Sequence, residues 1–268
     1  MIRHDQGSHW LLFTQHDHAL LAGRLAEQFG NGQFAKPSPQ TIQGIALHDC
    51  GWPLHDDRPT LNSTGQPLHV FESPVWIGCQ VWSASARRAA NKDRYAGLLV
   101  SIHAMHLATI AAQHHRTQRD AFELNKFQHS QVELQEALRG MLGMRTDIPV
   151  NHGLAKAGLN AEEDQLRFDY HLLRAMDYVS LSLLCSESLS ASVEIEPQPA
   201  ANPLKLSLAR PKPFTLNVDP WPFESPRLEY AIPSHRLAVE HYPDVEAFQD
   251  AFNQSPTVEV LVVVETLG

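Results

Sequence analysis

Apolar residues recur at helical spacing over most of the first 190 residues. The first such segment begins at Thr14, which with Asp17 forms a carboxylate variant of the capping box, and it ends before Gly30. A second segment begins at the capping residue Ser38 and stops at Gly51. The same pattern predicts four more helices over roughly residues 74–92, 93–112, 119–142 and 160–186.

The pattern changes near residue 190, where prolines and short β-branched runs replace the helical spacing. Short strands are predicted at 205–208, 214–218, 227–232 and 258–265, with one helix at 244–252. The stretch 10–13 is a further strand candidate that could pair with them. We therefore expect a mainly α protein, with a helical bundle in 1–190 and a small antiparallel β segment in 191–268 packed on it.

Composition and charge narrow the classes of function. The chain has 268 residues, of which 43% are hydrophobic and 19% charged, so it can bury a core. Its net charge of −9 argues against a sequence-independent grip on nucleic acid. Three distant cysteines indicate a reducing compartment, and aliphatic runs such as 260–264 are too short to span a bilayer. We expect a cytoplasmic protein with a small-molecule substrate and no membrane partner, and a homo-oligomer is left open.

Six polar residues fall on or beside the apolar faces of four predicted helices. They are His18 on the first helix, His48 and Asp49 on the second, His103 and His106 on the fourth, and Asp177 on the sixth. Burying an unpaired carboxylate is costly unless it is protonated, ion-paired or bound to a metal. Imidazole and carboxylate together suit Mn, Fe, Ni or Zn, and helical bundles build such sites from facing helices. The pattern therefore predicts one or two divalent ions.

Each residue also has a purely structural interpretation. The histidines could bond to backbone carbonyls in the core, and Asp49 could cap a loop amide. Asp177 could pair with an arginine such as Arg24 or Arg174. Because these explanations would have to hold independently on four helices, the metal interpretation is favoured.

The order of these residues resembles that of the HD-domain metal-dependent phosphohydrolases: His18, the adjacent His48 and Asp49, and then Asp177. Segments 14–19, 47–52, 99–103, 175–181 and 219–223 also resemble a bacterial family known only as a domain of unknown function, and this likeness covers most of the chain. The resemblance implies an HD-like helical bundle in which those four residues hold one metal. Additional histidines, here His103 and His106, complete a second site in two-metal members.

The favoured function is metal-assisted hydrolysis of a phosphoester, with Asp49 or His103 handling the proton. Five basic side chains are candidates for neutralising the developing charge: Arg24, Arg87, Arg88, Lys92 and Arg94. No glycine-rich phosphate loop, nucleophile elbow or dinucleotide fingerprint is found in the sequence. Two alternatives stay open: an HD-like di-iron oxygenase, and a non-enzymatic metal-stabilised sensor or binding module.

Overall fold

A seven-stranded mixed sheet joins residues 2–13 at the start of the chain to residues 192–266. The computed structural model describes residues 1–114, 117–146, 160–186 and 191–266. The strands are β1 (Ile2–Asp5), β2 (His9–Phe13), β3 (Ser192–Ile195), β4 (Leu204–Lys212), β5 (Thr215–Asp219), β6 (Arg227–Ala238) and β7 (Thr257–Thr266). Their order across the sheet is β1-β2-β6-β7-β5-β4-β3. All neighbours are antiparallel except β5 and β7, which run parallel.

This sheet corrects the fold class expected from the sequence. A mainly helical bundle with a small antiparallel β segment is wrong, because the sheet is mixed and takes two of its seven strands from residues 2–13. Strand β1, which was not predicted, has only four residues, and this is too short for periodicity to separate a strand from a loop. Besides β1, β2 pairs with β6, more than 200 residues away. The prediction that stretch 10–13 could pair with the C-terminal strands is thus confirmed, although no local pattern reveals which strand is its partner. The division of the chain at residue 190 stays a prediction.

The described residues contain eight α-helices. They are α1 (Gln15–Gln28), α2 (Pro39–Leu47), α3 (Pro53–Asp56), α4 (Val75–Lys92), α5 (Arg94–His114), α6 (Gln118–Leu142), α7 (Ala161–Leu184) and α8 (Val245–Gln254). Local capping explains where three of them begin, as predicted. The side chains of Thr14, Ser38 and Asn160 accept hydrogen bonds from backbone amides three residues further on, at 2.9, 3.1 and 2.9 Å.

Helix α7 lies at the centre of the molecule. It contacts α1, α2 and α5 on its helical side, and β3 and β5 on its sheet side. Its apolar side chains, such as Leu173, Met176 and Val179, are fully buried in the main core. Any polar side chain on the face of α7 that meets α1, α2 and α5 is therefore held among three other helices.

Among the described residues, α5 is the one helix that is long and apolar enough to cross a membrane. However, 61% of its most apolar window is buried within the fold. This burial is typical of a core helix in a soluble protein, so α5 is weak evidence for a membrane span. A cytoplasmic location stays a prediction.

Candidate metal centre

Five of the six predicted residues meet where α1, α2, α5 and α7 converge. They are His18 in the first turn of α1, His48 and Asp49 directly after α2, His103 in α5 and Asp177 in α7. Four of these residues are at most 5% exposed, and the side chain of Asp177 is 15% exposed. The sequence placed His48 and Asp49 in the last turn of the second helix. In the structure α2 ends at Leu47, so this pair lies in the turn before α3.

A close approach of two helices brings the first two histidines together. A Cβ atom added to Gly23 in α1 would lie 2.6 Å from the Cβ of Ala46 in α2. Only glycine permits this spacing without movement of the backbone. The Nε2 atoms of His18 and His48 consequently lie 3.2 Å apart.

Hydrogen bonds fix which nitrogen of each imidazole carries the proton. The hydroxyl of Ser180 donates to the backbone oxygen of Asp177 at 2.9 Å, so its oxygen accepts from Nδ1–H of His18 at 2.7 Å. Nδ1–H of His48 donates to the carbonyl oxygen of Ile45 at 2.7 Å. In the neutral form of each ring, Nε2 therefore directs a lone pair at the centre, which is the tautomer that binds a metal.

The separations between donor atoms are close to those of ligands around one ion. Nε2 of His18 lies 3.4 Å from Oδ2 of Asp49 and 3.4 Å from Oδ1 of Asp177. Nε2 of His48 lies 3.8 and 3.5 Å from the same two oxygens. Ligands about 2.1 Å from an ion, at angles of 90–110°, lie about 3.0–3.4 Å apart. These buried His and Asp groups could therefore hold a metal ion.

His103 stands at the edge of this group. Its Nε2 lies 3.5 Å from Oδ2 of Asp177, and neither ring nitrogen has a hydrogen-bond partner among the described residues. Burial lowers the pKa of His103 to about 3 despite the nearby carboxylate, so the ring is neutral at neutral pH. His106 belongs to neither group of possible ligands, and its ring lies 6.2 Å from that of Tyr170. A ligand role for His106 stays a prediction.

Without a cation, the centre retains a proton. Burial acts to lower the pKa of His48, but the charges of Asp49 and Asp177 outweigh it and raise that pKa to about 9. Burial likewise acts to raise the pKa of Asp177, but the hydrogen bond and charge of His48 hold it well below its usual range. The carboxylates thus favour a positive charge at this point, supplied by a proton or by a metal.

A cavity of about 540 Å³ opens beside the centre, and Asp49, His103 and Asp177 line it. Its apolar walls include Trp52, Phe71, Trp82, Leu107, Ile110 and Leu181. Arg174 lines it too, one turn before Asp177 on α7.

Arg174 was not predicted as a cation for the site, although its spacing of three residues from Asp177 places both on one helical face. The five basic residues suggested instead do not line this cavity. Arg88, for example, donates to the carbonyl oxygen of Cys50 at 2.5 Å. Ser180 was also missed, because its role depends on a contact with His18, 162 residues earlier in the chain.

Residues 1–238 match the family described as "Protein of unknown function (DUF3891)". The chain belongs to this family. The predicted membership of a domain-of-unknown-function family is thus confirmed, and the likeness to HD-domain phosphohydrolases stays a prediction. No curated protein and no solved structure matches the chain. The DUF3891 match includes every residue of the candidate centre and ends before α8 and β7.

Proposed function

We propose that this DUF3891 protein is a metal-dependent hydrolase of phosphoesters. The observation that supports this most directly is that Nε2 of His18 and Nε2 of His48 lie 3.2–3.8 Å from each other and from oxygens of Asp49 and Asp177. These atoms lie beside a cavity large enough for a small molecule. A divalent cation bound there would polarise a phosphoryl oxygen and lower the pKa of a water molecule. The candidate ions are Mn, Fe, Ni and Zn, because two imidazoles and two carboxylates form the donor set.

The protein's own residues hold and orient the donors. Ser180 and the carbonyl of Ile45 hold the Nδ1 protons of the two imidazole rings, so that each ring presents Nε2 to a bound ion. His103 is the better candidate for moving a proton, because it is neutral and lines the cavity. A phosphate anion beside it would raise its pKa and make it a stronger base. Asp49, the other candidate, has one oxygen already directed at His18 and His48.

The geometry supports one ion more directly than two. The two possible ligand groups, His18–His48–Asp49 and His48–His103–Asp177, share His48. Nδ1 of His48 is engaged by Ile45, so only Nε2 can bind, and one nitrogen lone pair binds one ion. An iron content near two per chain with a visible absorption band would instead favour the di-iron oxygenase alternative.

The test is metal content and hydrolysis in protein prepared without a polyhistidine tag. Wild type, loaded in turn with Mn, Ni, Zn and Fe, is expected to contain about one ion per chain and to hydrolyse p-nitrophenyl phosphate. Asp177→Ala should lose both properties. Asp164→Ala on the same helix should keep them, because Asp164 lies more than three helical turns before Asp177 and pairs with Arg167.

Two results would overturn this proposal. One is an unchanged metal content in Asp177→Ala. The other is an absence of turnover of phosphomonoesters, phosphodiesters and nucleotides with all four metals. Loss of folding on chelation without any turnover would favour the metal-stabilised binding module.

A further inference from the structure

The cavity beside the centre is apolar on most of its walls. Aromatic and aliphatic side chains form them, among them Trp52, Trp82, Leu107 and Leu181. At the rim, Phe71 and Ile110 are exposed large hydrophobic residues. Gln15, Ser73, His106 and Tyr178 also line the cavity, but the apolar residues outnumber the polar ones. A polar ligand body placed here would leave part of its hydrogen bonds to water unreplaced, which is costly. The walls therefore favour an apolar ligand body.

Arg174 is the one arginine or lysine among the described residues that line this cavity. Its guanidinium carbon lies 5.7 Å from the ring centroid of Tyr170, and it forms no ion pair with a described carboxylate. Arginine stays charged at all ordinary pH values and binds phosphate oxygens in pairs.

The charges of the site favour an anion once the cation is bound. Two carboxylates, Asp49 and Asp177, balance one divalent cation, and imidazole rings that bind the ion carry no charge. Arg174 then leaves a net positive charge close to the centre. The cavity thus combines one anion-binding end with one apolar chamber.

We propose that the substrate class is a phosphate monoester of an apolar alcohol, an alkyl or aryl phosphate, rather than a nucleotide. This inference rests on the proposed hydrolase function. The phosphoryl group would lie between the metal centre and Arg174, with the apolar group among Trp82, Leu107 and Leu181. Water adds its oxygen to phosphorus while the bond from phosphorus to the ester oxygen breaks. The ester oxygen keeps the electron pair and takes a proton, so the products are the alcohol and inorganic phosphate.

The volume is consistent with this class. Small-molecule sites enclose about 300–1,000 Å³, and the cavity of about 540 Å³ lies in that range. A nucleoside monophosphate would place the polar edges of its base and ribose against the same apolar walls. Buried groups left unpaired in this way produce strong discrimination.

The test uses binding of alkylphosphonates, which cannot be hydrolysed at the carbon–phosphorus bond, measured by titration calorimetry on the metal-loaded protein. The affinity is expected to rise about three- to fourfold per methylene from ethyl- to hexylphosphonate, as burial of each CH₂ predicts. Adenosine monophosphate should bind at least about 100-fold more weakly than hexylphosphonate.

Two variants separate the two ends of the cavity. Arg174→Met should weaken ethyl- and hexylphosphonate equally, by about tenfold or more, because it removes the contact to the anion. Leu107→Gln should leave ethylphosphonate binding unchanged and flatten the dependence on chain length. Ile110→Gln at the exposed rim tests the same dependence if Leu107→Gln does not fold. Arg24→Met, outside the cavity, is the control.

An affinity independent of chain length, or adenosine monophosphate binding as tightly as hexylphosphonate, would overturn the inference. Failure of the proposed function has a different signature. In that case, phosphonates bind with the expected dependence on chain length, but hexyl phosphate and p-nitrophenyl phosphate are not hydrolysed with any of the four metals.

Discussion

At the scale of single residues, Ser180 links two candidate ligands. Its oxygen accepts from Nδ1–H of His18, and its hydroxyl donates to the backbone oxygen of Asp177. Hydrogen-bond partners of metal ligands typically contribute 10–100-fold to metal affinity. We therefore expect Ser180→Ala to weaken metal binding by about that factor, as measured by competition with a chromogenic chelator.

Ser182→Ala is a matched control for this change. Ser182 lies on the same helix and donates to the backbone oxygen of Tyr178 at 2.8 Å. It should keep the wild-type affinity. Equal metal affinities in the two variants would show that Ser180 does not orient His18.

The charge of His48 predicts how metal binding depends on pH. In the metal-free protein burial lowers its pKa, but Asp49 and Asp177 outweigh burial and raise it to about 9. At neutral pH His48 is then protonated, and a metal must displace that proton. The apparent metal affinity is expected to rise about tenfold per pH unit up to pH ~9 and then level off.

Titration calorimetry in two buffers of different ionisation enthalpy measures this displacement directly. About one proton per ion should be released at pH 7. An affinity that does not change between pH 7 and 9 would contradict the assignment of the proton to His48.

At the scale of elements, the approach of α1 to α2 sets the distance between His18 and His48. Gly23→Ala would place its Cβ 2.6 Å from that of Ala46, so the two helices must separate. Overpacking of this kind costs about 1–3 kcal/mol. We expect a lower melting temperature together with a weaker metal affinity, because the two ligands belong to the two displaced segments.

Gly140→Ala in α6 controls for helix propensity. No described atom lies within 4 Å of the Cβ it would add, so this change should stabilise the protein by about 0.5–1 kcal/mol and leave metal binding unchanged. If both variants keep wild-type metal affinity, the spacing of α1 and α2 does not control the centre.

The starts of the helices could be predicted because their causes are local. Thr14, Ser38 and Asn160 each cap an amide only three residues away, and that spacing is visible in the sequence. The position of the turn that carries His48 and Asp49 was predicted less accurately, because the point where this turn ends depends on tertiary contacts. A Cβ on Gly51 would lie 2.2 Å from the backbone oxygen of Val81 in α4, a neighbour that the sequence does not reveal.

At the scale of the whole molecule, β7 is the central strand of the sheet, although the DUF3891 match ends before it. Val262 is fully buried, whereas its neighbour Leu261 is 57% exposed. We expect Val262→Asp to prevent soluble folding, because it buries an unpaired charge. Leu261→Asp should stay soluble with a melting temperature near that of wild type. Soluble yield and thermal unfolding of the two variants measure the difference, and equal tolerance would contradict the placement of β7.

The side chains of the centre were predicted from the sequence more accurately than the architecture that holds them. Residues such as His18 and Asp177 break an apolar helical face, and that conflict is visible locally. The pairing of β2 with β6 and the cavity wall containing Arg174 depend on contacts between distant segments. Hydrophobic periodicity carries no information about such pairings, so the sheet was underestimated.

The pairing of β2 with β6 also has a consequence for how the chain folds. Trp10 lies opposite Leu237, so β2 can pair only with β1 until every helix from α1 to α7 has been made. Closing a loop of this length costs about 5 kcal/mol in chain entropy, and distant pairings slow folding. The helices are thus expected to assemble first. Until β6 is made, one edge of β2 is unpaired, and a chaperone or a second nascent chain could bind there. Strand β2 is therefore synthesised among the first elements of the chain but completes its pairing among the last.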